Sequence, residues 1–244
     1  MGKRVAFISD IHGNMEALEA VIRDIETKGI ALSDVYCLGD LVGYGPRPNE
    51  VIAYIQDHQI QCILGNYDEA VGFFLPSCGC SIESETDKIR AQNSLEWTSM
   101  HTTEENKWFL RNLDEQVVIE EEGFKLLLTH GSSYSINDYV YEEDTEKQEE
   151  IAEEIEEDIM VFGHTHFPYI KKVHNKILIN VGSVGRPKDG DCRACYCILD
   201  IKKDINVEFV RVPYDVERVA KEIEQSGLLD VFATILRIGK DVIE

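Results

Sequence analysis

The chain has 244 residues, 43% of them hydrophobic, which is enough for a sizeable core and rules out global disorder. Its formal net charge of −22 disfavours a long nucleic-acid partner, because phosphate backbones are bound by basic surfaces. No apolar stretch approaches the ~20 residues that cross a bilayer, so no membrane partner is expected.

The first apolar run, VAFIS at 5–9, leads into Asp10-Ile11-His12. Residues 14–28 then carry Met15, Leu18, Val21, Ile22 and Ile25 at helical spacing, and Gly29 is a natural stop. VYCL at 35–38 runs into Gly39-Asp40. Pro48 suits the first turn of a helix that continues through Val51, Ile52 and Ile55. QCIL at 61–64 runs into Gly65-Asn66. Strand, helix, strand, helix, strand over 3–64 predicts parallel strands joined by right-handed crossovers.

The pattern from 82 to 113 is mixed, with Trp97, Met100, Trp108, Phe109 and Leu110 marking one or two helices. They either pack on the sheet or cap a cleft. LLLT at 126–129 ends at His130. Residues 142–158 hold eleven acids against Lys147 alone, a net of −10. With Ile151, Ile155 and Ile159 among the acids, they read as a solvated helix with a narrow buried stripe. The segments 82–113 and 141–158 are the two candidate cap or insert regions of one domain over 1–244, since no linker divides the chain. IMVF at 159–162 ends at Gly163-His164-Thr165-His166. KILINV, CYCILDI and NVEFVRV follow with hairpin spacing, and 215–244 reads as one or two amphipathic helices. A second sheet packed on the first is expected.

The apolar run after MGKR is too short for a signal peptide, and Ala6 fails the myristoylation pattern, so a cytoplasmic protein is expected. Seven cysteines, an odd number, argue against a disulfide framework. The groups Cys78-Gly79-Cys80 and Cys192-x-x-Cys195-x-Cys197 invite a structural-zinc reading. Against it, Cys195 and Cys197 alternate as residues on one strand face do.

The chemistry lies at the run ends. Four of the seven histidines stand there, with Asp10, Asp40 and Asn66. Strands of one sheet share a carboxyl edge, where α/β folds place ligands. Asp with His suits borderline divalent ions: manganese is the expected ion, and iron, nickel or zinc suit the same mix. Asp40 is the natural bridge, because one carboxylate can bind two ions. Two ions about 3.5–4 Å apart can clamp a phosphate between them. Each motif alone is weak: Asp-x-His is commonly a turn, and Gly-Asn-x-Asp a helix cap. The weight comes from all five in order, each after an apolar run.

Asp10-Ile-His12, Gly39-Asp40, Gly65-Asn66-Tyr67-Asp68, His130-Gly131 and Gly163-His164-Thr165-His166 together resemble the calcineurin-like metallophosphoesterase superfamily. ISDIHGN, LGDLVGYGP and NVGSVGRPKDGDCRA look most like its small bacterial and archaeal phosphodiesterase branch, which includes proteins active on diadenosine polyphosphates. The resemblance implies an α/β fold: a four-layer α-β-β-α sandwich of two mixed β-sheets flanked by helices. It implies one metal held by Asp10, His12, Asp40 and His166, and another by Asp40, Asn66, His130 and His164. It further implies in-line attack on phosphorus by a metal-bound hydroxide, with Asn66, Tyr67 and His130 as candidate catalytic residues.

Tyr67 is a departure, since many family members have His there to protonate the leaving group. A phenol with pKa near ~10 donates a hydrogen bond at neutral pH but is a poor proton shuttle. Asp68 either pairs with a ligand histidine or caps a helix. Arg186 and Arg193 flank a loop after a strand, where either guanidinium can grip a second phosphate or remain surface charge. Residues 137–139 border the pocket in the same reading. His58, His101 and His174 read as ordinary polar positions.

The expected function is a dinuclear-metal hydrolase of small phosphodiesters, phosphomonoesters or nucleotides. The rival is a binding or scaffold protein on the same fold, which ligand completeness disfavours.

Overall fold

In the computed structural model, which describes residues 2–80, 84–202 and 204–242, the opening alternation becomes three parallel strands and their crossovers. β1 (Lys3–Ile8), α1 (Met15–Thr27), β2 (Val35–Cys37), α2 (Pro48–Asp57) and β3 (Gln61–Cys62) follow in order. Asn14 caps α1 by accepting from the Ala17 amide at 3.1 Å, and Pro48 opens α2 where its missing N–H costs nothing. A short α3 (Asn66–Gly72) precedes α4 (Glu85–His101) and α5 (Glu104–Arg111), which pack against it.

The second half supplies β4 (Gln116–Glu121), β5 (Phe124–Thr129), α6 (Thr145–Glu154), β6 (Ile159–Phe162), β7 (Tyr169–Val173) and β8 (Lys176–Asn180). β9 (Ala194–Ile201) and β10 (Ile205–Val212) then return to β1, and α7 (Val216–Ser226) and α8 (Asp230–Ile238) end the described elements. The two five-stranded sheets have orders β10-β9-β1-β2-β3 and β4-β5-β6-β8-β7. Both are mixed: β1, β2 and β3 are parallel, as are β5, β6 and β8, while β9 runs antiparallel to β1 and β10, β4 to β5, and β7 to β8.

Strand alternation divides the core. Val5 and Phe7 join Leu126, Leu128, Val161 and Ile179 in an apolar layer between the sheets. Ala6 and Ile8 point the other way, into a cluster with α1, α2 and α3. On the far side, Leu127, Met160 and Leu178 pack against Ile151 and Ala152 of α6. The order helix, sheet, sheet, helix gives the four layers. α7 and α8 form their own packed pair against Tyr44, Trp97 and Tyr214.

Several boundaries differ from the sequence reading. Ile159 begins β6 and does not extend the acidic helix, because Ile155 is already an extended C-cap (φ −72°, ψ 137°). The 176–181 run pairs with β7 and β6, and the hairpin partner of 195–201 is β10. Of the mixed segment, Ile82 lies outside the described residues, and Met100 and Trp108 are exposed. Among the described residues no helix is long and apolar enough to cross a membrane.

Candidate metal centre

Each candidate ligand sits just past the carboxyl end of a parallel strand. Asp10 and His12 follow β1, Asp40 follows β2, and Asn66 opens α3 after β3. His130 follows β5, and His164 and His166 follow β6. Pairing continues beyond the strands: the Asp10 amide donates to Gly39 O at 3.0 Å and the His12 amide to Asp40 O at 2.9 Å. Within the second sheet the Gly163 amide donates to His130 O at 3.0 Å, and the two sheets are joined at the same edge by the His164 amide donating to Asp10 Oδ2 at 3.1 Å. Only glycine fits at 163, since a Cβ there would lie 2.1 Å from Ser9 Oγ and 2.5 Å from Asp10 Oδ2.

Asp10, His12, Asp40, His164 and His166 all adopt positive φ, at 54°, 50°, 56°, 64° and 67°. Each such residue costs on the order of ~1–3 kcal/mol and persists where its surroundings over-determine it. The strain turns the side chains of adjacent loops toward one point.

Asp10, His12 and His166 form one buried group whose ligand atoms lie within 4.8 Å of one another, and Asp10, Asp40 and His130 form another. Asp10 is common to both, a place the sequence reading gave to Asp40. Asp40 Oδ2 still stands between the groups, 3.6 Å from His12 Nε2 and 3.5 Å from His130 Nε2. Asn66 Oδ1 lies 3.1 Å from His130 Nε2, and its amide nitrogen donates to Cys78 O at 2.9 Å and Cys80 Sγ at 3.2 Å. The His164 ring meets that of His130 edge-on at 5.0 Å.

These donors fit divalent ions. His12, His130 and His166 each direct Nδ1 to a backbone carbonyl, of Val42, Leu38 and Arg186, at 2.9, 2.7 and 2.5 Å. A carbonyl only accepts, so Nδ1 carries a proton, and each ring, once neutral, presents an Nε2 lone pair. Asp10 Oδ1 and His164 Nε2 are buried with no hydrogen-bond partner among the described residues, a costly state that a bound cation relieves.

Burial lowers His12 to about 4 and His164 to about 3, and lowers His166 as well. These imidazoles are therefore neutral and ready to ligate. At His130 burial also opposes the charge, but the Asp40 and Asp10 carboxylates outweigh it and raise the group to about 10. The surrounding histidines hold Asp10 well below the usual carboxylate range despite its burial.

Asp68 contacts no ligand histidine. Its carboxylate accepts from the Gly65 amide at 3.2 Å, capping α3, and from the Leu41 and Val42 amides at 2.9 and 3.3 Å. It thereby braces the loop that carries Asp40. Tyr67 is buried against the backbone of Gly43, edge-on to His12, with its hydroxyl unpartnered among the described residues.

The ligands face a small niche of about 20 Å³ also lined by Tyr44, Tyr67, Cys80, Tyr139, Arg186 and Lys188. Beside it, a cavity of about 380 Å³ is bounded by Arg186, Lys188, Tyr139, Asp241 and the first turns of α4. Arg186 is 7% exposed and stacks over Tyr44 at 4.2 Å. Arg193 borders neither space: its side chain is exposed and forked onto Asp191 at 3.0, 3.1 and 2.6 Å. A two-residue turn satisfies it away from the centre, which leaves Arg186 as the arginine facing the metal ligands.

α4 borders the larger cavity through Asp87, Arg90 and Ala91, whereas α6 packs on the second sheet and, of residues 141–158, Tyr141 alone lines the cavity. Among the described residues neither metal-ligand group includes a cysteine, and Cys195 and Cys197 are buried in β9. Tyr44, Cys80, Lys188 and Asp241 were not singled out as site residues by sequence. Tyr44 and Lys188 carried a faint signal, standing in the glycine-rich stretches around Gly43 and Gly185. His58 and His101 stack on Tyr54 and Trp97, away from the centre.

A family model described as the calcineurin-like phosphoesterase superfamily domain matches residues 4–204. Protein MJ0912 of Methanocaldococcus jannaschii is 34% identical, over 97% of this chain and 98% of its own. Phosphodiesterase YfcE of Escherichia coli is 26% identical, over 81% of this chain and 87% of its own. The crystal structure of a metallophosphoesterase from Sphaerobacter thermophilus superposes with a TM-score of 0.78 at 27% identity, covering 98% of this chain and 100% of that one. With that model matched over residues 4–204, the chain belongs to the calcineurin-like phosphoesterase superfamily and is a hydrolase.

Proposed function

We propose that this hydrolase uses two divalent metal ions to cleave small phosphorylated substrates: phosphodiesters, phosphomonoesters or nucleotides, dinucleoside polyphosphates among them. The observation that carries the proposal is Asp40 Oδ2 standing between the two groups, at 3.6 and 3.5 Å from His12 and His130. Asp10, His12, Asp40 and His166 would hold one ion, and Asp40, Asn66, His130 and His164 the other. Bound there, two such ions supply Lewis acidity toward phosphoryl oxygens and lower the pKa of water.

The chain's own residues do the positioning. Cys78 and Cys80 fix the Asn66 amide so that its oxygen faces the His130 ring. Tyr67, kept protonated by burial, offers a hydrogen-bond donor from the niche wall, and Arg186 adds a fixed positive charge. The name of the Escherichia coli relative favours diesters. Manganese is the proposed ion, and the seven free cysteines accord with a reducing, cytoplasmic setting.

The test is a metal-reconstituted panel of aryl phosphate monoesters, aryl diesters, cyclic nucleotides and dinucleoside polyphosphates, with metal content measured in parallel. Turnover on at least one class, dependent on two bound ions, is expected. Two bound ions with inactivity across the panel would replace this reading with that of a scaffold protein.

A further inference from the structure

Two cations stand on the cavity side of the metal ligands. Arg186 is nearly buried, and its Nε has no hydrogen-bond partner among the described residues. Lys188, two residues on, lines both spaces, with its side chain 18% exposed. One carboxylate answers both: Asp241 Oδ1 accepts from Arg186 Nη2 at 2.6 Å, and Oδ2 lies 3.9 Å from Lys188 Nζ. Asp241 belongs to the segment after α8, which crosses the cavity rim. That segment is held by Gly190 N donating to Gly239 O at 2.8 Å and by Arg90 Nη1 donating to Val242 O at 3.0 Å. The Asp241 side chain itself is half-exposed, with 46% of its surface open.

We propose that Arg186 and Lys188 form an anion subsite for a second phosphate of the substrate, and that Asp241 occupies it as a displaceable internal counter-anion. The inference rests on the metal reading for where the first phosphate binds. A planar guanidinium stacked on Tyr44 keeps its orientation whether it meets a carboxylate or a phosphate. A buried arginine left without any anion is costly, so the half-exposed carboxylate keeps the subsite stable until substrate arrives. The substrates selected carry at least two linked phosphates, and simple monoesters leave Asp241 in place.

Isothermal titration of the metal-loaded protein with orthophosphate and with tripolyphosphate tests this, using Asp241→Asn and Lys188→Ala. Asp241→Asn is expected to tighten tripolyphosphate binding about tenfold with orthophosphate unchanged within about twofold, and Lys188→Ala to weaken tripolyphosphate binding about tenfold more than it weakens orthophosphate binding. Weaker tripolyphosphate binding in Asp241→Asn would make Asp241 a positioning residue and overturn the displaceable role. Equal tripolyphosphate binding in all three proteins would remove the subsite. Failure of orthophosphate to bind the metal-loaded native protein would instead count against the metal reading itself. Thermal melts of both variants exclude misfolding as the cause.

Discussion

His12 Nε2 and His166 Nε2 face each other at 3.3 Å, and neither can donate to the other because each ring's proton is on Nδ1, aimed at a carbonyl. Two opposed lone pairs in a buried site repel unless a cation lies near both. Asp10 Oδ1, 3.2 Å from His166 and 3.8 Å from His12, completes the set.

The stability of the protein should therefore depend on metal. An ion present at a hundred times its Kd adds about 2.7 kcal/mol, which for a chain of this size raises Tm by roughly 5–10 °C. Chelator-stripped protein should melt lower by that margin and recover on addition of manganese in calorimetry. Identical melting curves with and without metal would mean that the histidine pair is not a metal site.

Asp40→Asn should reduce two-ion binding to one ion at most. Asp40 Oδ1 accepts from the Tyr67 amide at 2.8 Å, which leaves Oδ2 for both groups. An amide offers one neutral oxygen and a nitrogen that cannot ligate, so shared charge is lost while shape is kept. Metal analysis after dialysis reads the outcome, and retention of two ions at full occupancy would refute the bridging role.

How much of this was legible depended on range along the chain. The ligands were visible because each follows its own short apolar run, and a strand end is a local signal. Asp68 was ambiguous in sequence because its partners, the Leu41 and Val42 amides, sit on another loop. Arg186 and Arg193 looked alike in one glycine-containing loop. Only the fold shows that one stacks on Tyr44 while the other closes onto Asp191. Asp241 carried no signal at all, since its ion pair with Arg186 spans 55 positions. The positive φ of five ligands was equally silent, because it is imposed by the pairing of loops from different strands.

Gly163→Ala tests how tightly the two sheets must meet. Its added methyl would fall on Ser9 Oγ and Asp10 Oδ2, the oxygen that holds the His164 amide. Either the loop after β6 moves or the Asp10 carboxylate turns, so metal affinity should fall at least tenfold. Unfolding free energy should drop by about 1–3 kcal/mol, the usual range for overpacking a close contact. Denaturant melts and metal titration measure the two effects separately, and unchanged metal affinity would show that the inter-sheet contact does not position Asp10.

Tyr67 separates proton delivery from substrate orientation. Burial raises its phenol well above the ordinary tyrosine range, so at neutral pH it donates a hydrogen bond but does not exchange its proton. Tyr67→Phe should lower kcat/KM about tenfold or more without changing the shape of the pH profile, as expected for loss of one hydrogen bond to a charged oxygen. Tyr67→His places a group able to shuttle a proton beside His12 and should raise turnover on esters with poor leaving groups, such as alkyl phosphates, relative to nitrophenyl esters. The decisive comparison is the ratio of alkyl to nitrophenyl turnover in the native, Phe and His proteins. If Phe matches the native enzyme and His brings no gain on alkyl esters, Tyr67 only fills the wall behind His12.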